Sequence, residues 1–160
     1  MLKLSHGRFL IAALTLVFAA APLGVQAAPA DEAKATVQRF VDGMNAGDPR
    51  VLSNCASSAT VVDDMAPYVW SGPGACVKWI NDLIANMKDT GTTAIHATFD
   101  AATIADVHDK TAYLVYPAKF VMTVKAVQTT KTGVMTFVMD QGADGWKFTH
   151  ITWARTAQTP

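Results

Sequence analysis

The 160-residue chain carries 13 basic and 13 acidic side chains, a balance that argues against the basic surface of a nucleic-acid-binding protein. Its lysines and arginines form no polybasic patch and it has only one long apolar run, so we expect no lasting attachment to a membrane. The length fits a single domain with its own apolar core.

Residues 1–27 show the three-part pattern of a cleavable secretory signal peptide. Lys3 and Arg8 give a positive start, and Phe9 to Ala21 form an apolar run that is shorter than the roughly 20 residues needed to span a bilayer. The residues Val25-Gln26-Ala27 suit cleavage before Ala28. We therefore expect residues 28–160 to form the mature domain, periplasmic or secreted, with 11 basic and 13 acidic side chains.

Cys55 and Cys76 are the two cysteines of the chain, and both lie in the expected mature domain. An even cysteine count in an exported protein indicates a disulfide. This bridge would close a loop of about 20 residues and contribute about 3 kcal/mol to stability. A metal site would need further Cys or His nearby, and a reactive thiol would need a basic neighbour or a CxxC spacing. We therefore predict a structural disulfide and no metal site.

Apolar residues recur at helical spacing in the first half of the mature chain. Asp31 is placed to cap the first helix, and Gly47 to end it. Trp79 belongs to the apolar stripe of the third helix. The predicted helices are Ala33–Ala46, a short helix from Asp48-Pro49 to Cys55, and Pro73–Met87.

The second half is rich in Thr, Val, Ile and aromatic residues, which favour strands. Trp146 and Trp153 lie on the last predicted strand, seven residues apart, so we expect them to point to opposite faces. Helices followed by an antiparallel four-stranded meander form an α+β pattern, and a curled sheet filled by helices leaves a pocket between them. The predicted strands are Thr60–Val62, Thr93–Val107, Lys110–Val127, Thr132–Gln141 and Gly145–Thr156.

Four segments carry a family resemblance: Ala35 to Phe40, Asn45 to Asp48, Ala59 to Asp63, and Gly145 to Phe148. They resemble the nuclear-transport-factor-2-like superfamily, which includes ketosteroid isomerases, SnoaL-like cyclases and scytalone dehydratase. Exported bacterial members with a cysteine pair around a stretch like Asp64 to Gly72 are the most similar. The resemblance covers almost the whole mature chain. It implies a cone-shaped barrel of a strongly curved, mostly antiparallel sheet packed on three N-terminal helices.

The resemblance also implies a catalytic candidate, the position of a general base. That position falls on Asp63, or on Asp64 if the register slips by one residue, and adjacent strand residues point to opposite faces. The position of a tyrosine donor falls on Phe40, which has no hydroxyl, so the known oxyanion hole is incomplete. An Asp63 pair with His96 or His150 is an alternative for a dehydratase or hydrolase, although a strand histidine usually faces solvent.

Aromatic residues predict a mostly apolar pocket whose rim carries polar groups, a combination that suits a small apolar or amphipathic ligand. Ordinary core packing explains many such residues equally well. The predicted function is therefore small-ligand binding, with a cofactor-independent isomerase or dehydratase (lyase) that uses Asp63 as the alternative. The resemblance adds a possible homodimer through the sheet. The predicted pocket residues are Phe40, Asp64, Tyr68, Trp70, Trp79, Tyr113, Tyr116 and Trp153.

Overall fold

The computed structural model describes residues 28–160, so the predicted signal peptide lies outside the described residues. Helix α1 spans Pro29–Ala46, a 3₁₀ helix spans Pro49–Asn54, and helix α2 spans Ala75–Thr90. The seven strands are β1 (Cys55–Val62), β2 (Val69–Pro73), β3 (Thr92–Phe99), β4 (Ile104–His108), β5 (Thr111–Val124), β6 (Val127–Gly142) and β7 (Gly145–Thr159).

Helix α1 begins four residues earlier than predicted. Pro29 occupies its first turn, where a fixed φ and a missing N–H cost nothing, so Asp31 lies inside the first turn and does not cap the helix. Its negatively charged carboxylate instead stabilises the helix, because it lies near the positive N-terminal end of the helix dipole. The helix ends as predicted at Gly47, whose φ of +66° is readily accessible to glycine.

The next two predicted helices are shifted in the structure. The short helix is a 3₁₀ helix, and Asp48 caps it by accepting a hydrogen bond from the Arg50 N–H at 2.9 Å. Cys55 is not part of it but begins β1. Pro73 ends strand β2, and α2 begins after Gly74, which has a φ of +72°.

The strands form one curved, open sheet in the order β2-β1-β7-β6-β5-β3, with β4 pairing β5 beside β3. All neighbouring pairs are antiparallel except β1 and β7, which are parallel. The predicted α+β class is confirmed, but the four-stranded meander is extended to seven strands. The predicted run Thr93–Val107 divides into β3 and β4, and the segment predicted to be irregular contains β2.

The side chains on the concave inner face of the sheet form the core with α1. Phe137 and Phe148 are fully buried and their ring centroids lie 5.2 Å apart. Phe40 of α1 meets Phe148 edge-on, with 5.1 Å between centroids. The inner face therefore holds the helices, and the opposite outer face of the sheet points away from them.

Trp146 and Trp153 are both buried on the inner face, so the prediction that they point to opposite faces is wrong. The cause is a β-bulge between them. Phe148 of β7 pairs with Met139 of β6, and His150 pairs with Val138, the residue before Met139. Thr149 therefore has no partner in β6 and is an extra residue in β7. One extra residue reverses the alternation of side chains along the rest of the strand.

The predicted disulfide between Cys55 and Cys76 is present. It joins the start of β1 to the first turn of α2. Within residues 28–160, no helix is both long and apolar enough to cross a membrane.

Candidate functional site

A cavity of about 670 Å³ lies between α2, the end of α1 and the inner face of the sheet. Helix α2 turns its predicted apolar stripe toward the cavity. The sheet adds aromatic and sulfur-containing side chains from its long strands. The main apolar side chains of the wall are Phe40, Trp79, Ile80, Leu83, Ile84, Met87, Phe99, Phe120, Met122, Met135 and Trp153.

Asp63 lies on the cavity wall directly after β1, held by two hydrogen bonds. Its Oδ2 accepts from Trp79 Nε1 at 2.9 Å, and its Oδ1 accepts from the Met65 N–H at 3.1 Å. Burial raises the pKa of the Asp63 carboxyl, and the neighbouring Asp64 adds to the rise, while the Trp79 bond opposes it. The result is an oriented carboxyl group with greater proton affinity than an exposed aspartate.

Asp64 also lines the cavity, because the alternation of the strand has ended before it is reached. Its carboxylate accepts a hydrogen bond from Lys131 Nζ at 2.9 Å and forms an ion pair with Arg155, whose Nε lies 3.0 Å from Oδ2. Lys131 is on β6 and reaches the same cavity. The cavity wall therefore combines the Asp63 carboxyl with the ion pair of Asp64 and Lys131, which Arg155 joins without lining the cavity.

Asn45 fixes the end of α1 against β3 at another side of the cavity. Its Nδ2 donates to the Ala97 carbonyl at 2.8 Å, and its Oδ1 accepts from the Ala97 N–H at 2.7 Å. The Asn45 amide thus takes the place that the backbone of a neighbouring strand would have, because it binds both the N–H and the carbonyl of Ala97. This two-point contact sets the distance between the helix and the sheet that the cavity requires.

Five residues predicted for the site line this cavity, and the others do not. Tyr68 is 58% exposed, and the Trp70 indole donates to Asp82 Oδ2 at 2.7 Å on the far side of α2. Tyr116 is on the inner face but borders a second cavity. The five residues that line the main cavity are Phe40, Asp63, Asp64, Trp79 and Trp153.

His96, His150 and Tyr113 lie on the outer face, which corrects their predicted placement in the pocket. His96 pairs with Val121. His150 and Tyr113 both pair with Val138, and the residues on either side of Val138 in β6 are the ones that are buried on the inner face. The structure therefore assembles no pair of Asp63 with either histidine. Within residues 28–160, no three His, Cys, Asp or Glu side chains lie together as metal ligands would.

Lys131 and Asn45 belong to the site but were not predicted from the sequence. Lys131 has the same inward orientation as its β5 partner Phe120. A lysine that follows two threonines reads as an ordinary solvent-facing strand residue. The signal that identifies it is its register with an aromatic residue, which requires the strand pairing to be known.

No protein-family model and no curated protein matches this sequence. Solved structures do match its fold. A nuclear-transport-factor-2-like superfamily protein from Salmonella enterica serovar Typhimurium is 16% identical, with a TM-score of 0.67 over 82% of this chain and 94% of that one. A proposed dehydratase of the same family from Streptomyces avermitilis is 17% identical, with a TM-score of 0.68 over 80% and 96%. A proposed ketosteroid isomerase from Shewanella frigidimarina is 17% identical, with a TM-score of 0.60 over 77% and 94%.

These similarities show that the chain has the nuclear-transport-factor-2-like fold, as the resemblance of its sequence segments predicted.

Proposed function

We propose that this domain binds a small apolar or amphipathic organic molecule in the cavity between α2 and the sheet. The observation that carries the proposal is the cavity itself, about 670 Å³ in volume and walled mainly by carbon. Ligand pockets typically measure about 300–1,000 Å³ and combine apolar walls with a few fixed polar groups. Both properties occur here.

The polar groups of the wall favour an amphipathic ligand over a pure hydrocarbon. Asp63 and Lys131 both reach the cavity, and each is held by a partner, Trp79 or Asp64. A ligand oxygen or hydroxyl can hydrogen-bond to these groups while the remainder contacts Met, Leu and Phe side chains. An apolar body with one polar end therefore matches the wall best.

Thermal-shift screening of a hydrophobic-metabolite library tests the binding proposal. A ligand at 100 times its dissociation constant adds about 2.7 kcal/mol to stability. Ala97→Phe places a ring into the cavity from β3 and should remove the ligand-induced shift. Ala85→Phe, on an exposed position of α2, is the matched control and should keep it. A library without any stabilising compound, or an unchanged shift in Ala97→Phe, would contradict the proposal.

A second candidate function is a cofactor-independent isomerase or dehydratase in which Asp63 is the general base. The oriented carboxyl group, whose pKa burial raises, supports it. The solved structures from Streptomyces avermitilis and Shewanella frigidimarina are described as a proposed dehydratase and a proposed ketosteroid isomerase. Phe40 offers no hydroxyl, so Lys131 is the cationic donor best placed to stabilise a developing oxyanion.

Turnover of a panel of enolisable ketones and β-hydroxy ketones tests this second candidate. Removal of a general base typically costs about 10²- to 10⁴-fold in rate, so Asp63→Asn should lower kcat by that factor. The same variant should keep most of its ligand affinity, because the amide has nearly the same shape. Equal turnover by Asp63→Asn and the unmodified protein would remove Asp63 from the reaction.

We also propose that the mature domain acts in the periplasm or outside the cell. The disulfide of Cys55 and Cys76 supports this, because such bonds persist in oxidising compartments. Mass spectrometry of the protein purified from its native host should give an N-terminus at Ala28. A mature chain that retains Lys3 and Arg8 would contradict the proposal.

A further inference from the structure

Two of the three aspartates that line the main cavity have a cationic partner. Asp48 Oδ2 lies 2.7 Å from Arg50 Nη2, and Asp64 Oδ2 lies 2.9 Å from Lys131 Nζ. In the part of the chain that the structure describes, the third, Asp63, forms no ion pair with any Lys, Arg or His. The cavity wall therefore holds one acidic group that no described cation contacts.

The carboxylate of Asp63 has room for further donors. The Trp79 indole and the Met65 N–H are neutral donors, and each takes one position, on Oδ2 and Oδ1. A carboxylate offers about four acceptor positions, so about two stay free. Asp63 is only partly buried and lines the cavity, so a molecule in the cavity can reach it.

The pKa of the Asp63 carboxyl reflects its missing partner. Burial raises this pKa, and the neighbouring Asp64 adds to the rise. A cation placed against the carboxylate would oppose both effects, because it favours the charged form. Lys131 reaches the same cavity, but its ammonium group is paired with Asp64. A cationic ligand therefore complements Asp63.

The apolar part of the wall favours a ligand with an aromatic ring. Thioether sulfurs make favourable contacts with aromatic rings, and flexible methionine side chains adapt to the shape of a ligand. Phe120 and Trp153 add an edge-to-face pair of rings, with 4.7 Å between centroids. The methionines that line the cavity are Met44, Met87, Met122 and Met135.

We propose that the main cavity binds an arylalkyl amine, whose ammonium group donates to the Asp63 carboxylate while its ring contacts the methionine and aromatic side chains. The amine is one class of the proposed amphipathic ligand, so its assignment rests on the proposed function. The ammonium supplies the cation that Asp63 lacks. An anionic ligand would instead bring another negative charge toward Asp63.

Isothermal titration calorimetry of the disulfide-bonded mature domain at neutral pH tests the charge of the ligand. The probes are 4-phenylbutylamine, 4-phenylbutan-1-ol and 4-phenylbutyrate, which share one carbon skeleton. We expect the amine to bind about tenfold more tightly than the alcohol, because hydrogen bonds to charged groups are stronger than neutral ones. The carboxylate probe should bind most weakly.

Asp63→Asn should remove this preference. The affinity for the amine should fall about tenfold, while that for the alcohol should change less than about threefold, since the amide keeps the shape of the side chain. Asp89→Asn is the matched control, because Asp89 is an exposed aspartate of α2 outside the cavity wall and its replacement changes the net charge equally. It should leave both affinities unchanged.

Equal affinities of the unmodified domain for the amine and the alcohol would overturn the amine assignment and leave the proposed binding function intact. Tightest binding of 4-phenylbutyrate would also overturn it and would assign Lys131 as the charged partner. An equal loss of amine affinity in Asp89→Asn and Asp63→Asn would overturn it as well, since net charge alone would then explain the preference. If none of the three probes binds, the amine assignment fails, and the metabolite library decides the proposed function separately.

Discussion

Opposing effects act on the pKa of the Asp63 carboxyl group. Burial and the adjacent Asp64 raise it, and the hydrogen bond from Trp79 lowers it, with a net rise. Because the folded protein binds this proton more tightly than the unfolded chain does, the contribution of Asp63 to stability is complete below the unfolded pKa. That contribution is lost as the pH rises through the folded pKa.

Replacement of this carboxyl should therefore change the pH dependence of stability in a defined direction. We expect Asp63→Asn to gain stability relative to the unmodified protein as the pH rises from acid to neutral, since the variant has no proton to lose. A tenfold difference in proton affinity between folded and unfolded states corresponds to about 1.4 kcal/mol. Urea unfolding at a series of pH values measures the difference.

Trp79→Phe supplies the comparison for this titration. The variant loses the hydrogen bond that lowers the pKa of Asp63, so the fall of stability with rising pH should become steeper. Its overall stability should drop by about 2 kcal/mol, as for a hydrogen bond to a charged group. Parallel pH profiles for all three proteins would contradict the assigned environment of Asp63.

Single residues of the site differ in how far the sequence reveals them. Asp63 was predicted because it follows a short β-branched strand within a segment that resembles a known family. Asn45 entered the sequence analysis only as part of a segment that resembles the family, and its contact with Ala97 crosses 52 positions of sequence. Lys131 could not be recognised, because the partner that turns it inward is known only from the sheet register.

At the scale of secondary structure, the disulfide holds one wall of the main cavity. It ties the first turn of α2 to β1, and α2 then provides Trp79, Ile80 and Leu83 to the cavity. The paired variant Cys55→Ala/Cys76→Ala should lose about 3 kcal/mol of stability, the value for a loop of this length. In hydrogen-exchange measurements, the loss of the disulfide should increase the exchange rate of the α2 amides more than that of the β6 amides.

Addition of reductant is the control for the disulfide prediction. It should destabilise the unmodified protein to the level of the paired alanine variant and should leave that variant unchanged. Equal unfolding midpoints for the oxidised protein and the variant would show that the bridge contributes little.

Strand β6 approaches β7 so closely at Gly133 that no side chain fits. A Cβ at this position would lie 2.1 Å from the Ala154 carbonyl oxygen and 2.7 Å from the Trp153 ring. Gly133→Ala should therefore cost roughly 2–3 kcal/mol, as overpacking does. Gly142→Ala, where a Cβ meets no atom within 4 Å, is the matched control and should stay within about 0.5 kcal/mol. Chemical denaturation of both variants measures the difference.

The existence of most elements follows from local sequence, but their divisions do not. Periodicity identified α1, α2 and the long strands. The break between β3 and β4 and the short β2 are set by strand pairing, because β3 and β4 pair with different halves of β5 and β2 pairs with β1. The bulge at Thr149 did leave a local signal, since apolar residues at 146, 148, 151 and 153 shift their spacing from two to three and back. A uniform alternation along the strand does not account for that shift.

At the scale of the whole molecule, the order of helices before strands was sufficient to predict an α+β fold with a pocket. The parallel pairing of β1 with β7 was not predictable, because its partners, such as Val61 and Ile151, are 90 residues apart. This pairing holds β1 between β2 and β7 and so places Asp63, directly after β1, on the cavity wall. A pairing across 90 positions of sequence thus positions the strongest catalytic candidate.

The predicted homodimer also concerns the whole molecule, because it would use the outer face of the sheet. The centre of that face carries β-branched side chains such as Val115, Val134 and Thr136, with Tyr113 beside them 42% exposed. Exposed apolar patches of this kind often mark contact surfaces. We expect light scattering at high protein concentration to give the mass of two chains.

A charge at the centre of the outer face should abolish this pairing. Val134→Glu buries a carboxylate between two copies and should give the mass of one chain, since an unpaired charge is costly to desolvate. Val127→Glu makes the same change at an exposed position beside the turn between β5 and β6, so it should remain dimeric. Circular dichroism should show both variants folded. A monomeric unmodified protein, or the same mass for both variants, would mean that the outer face has no role in self-association.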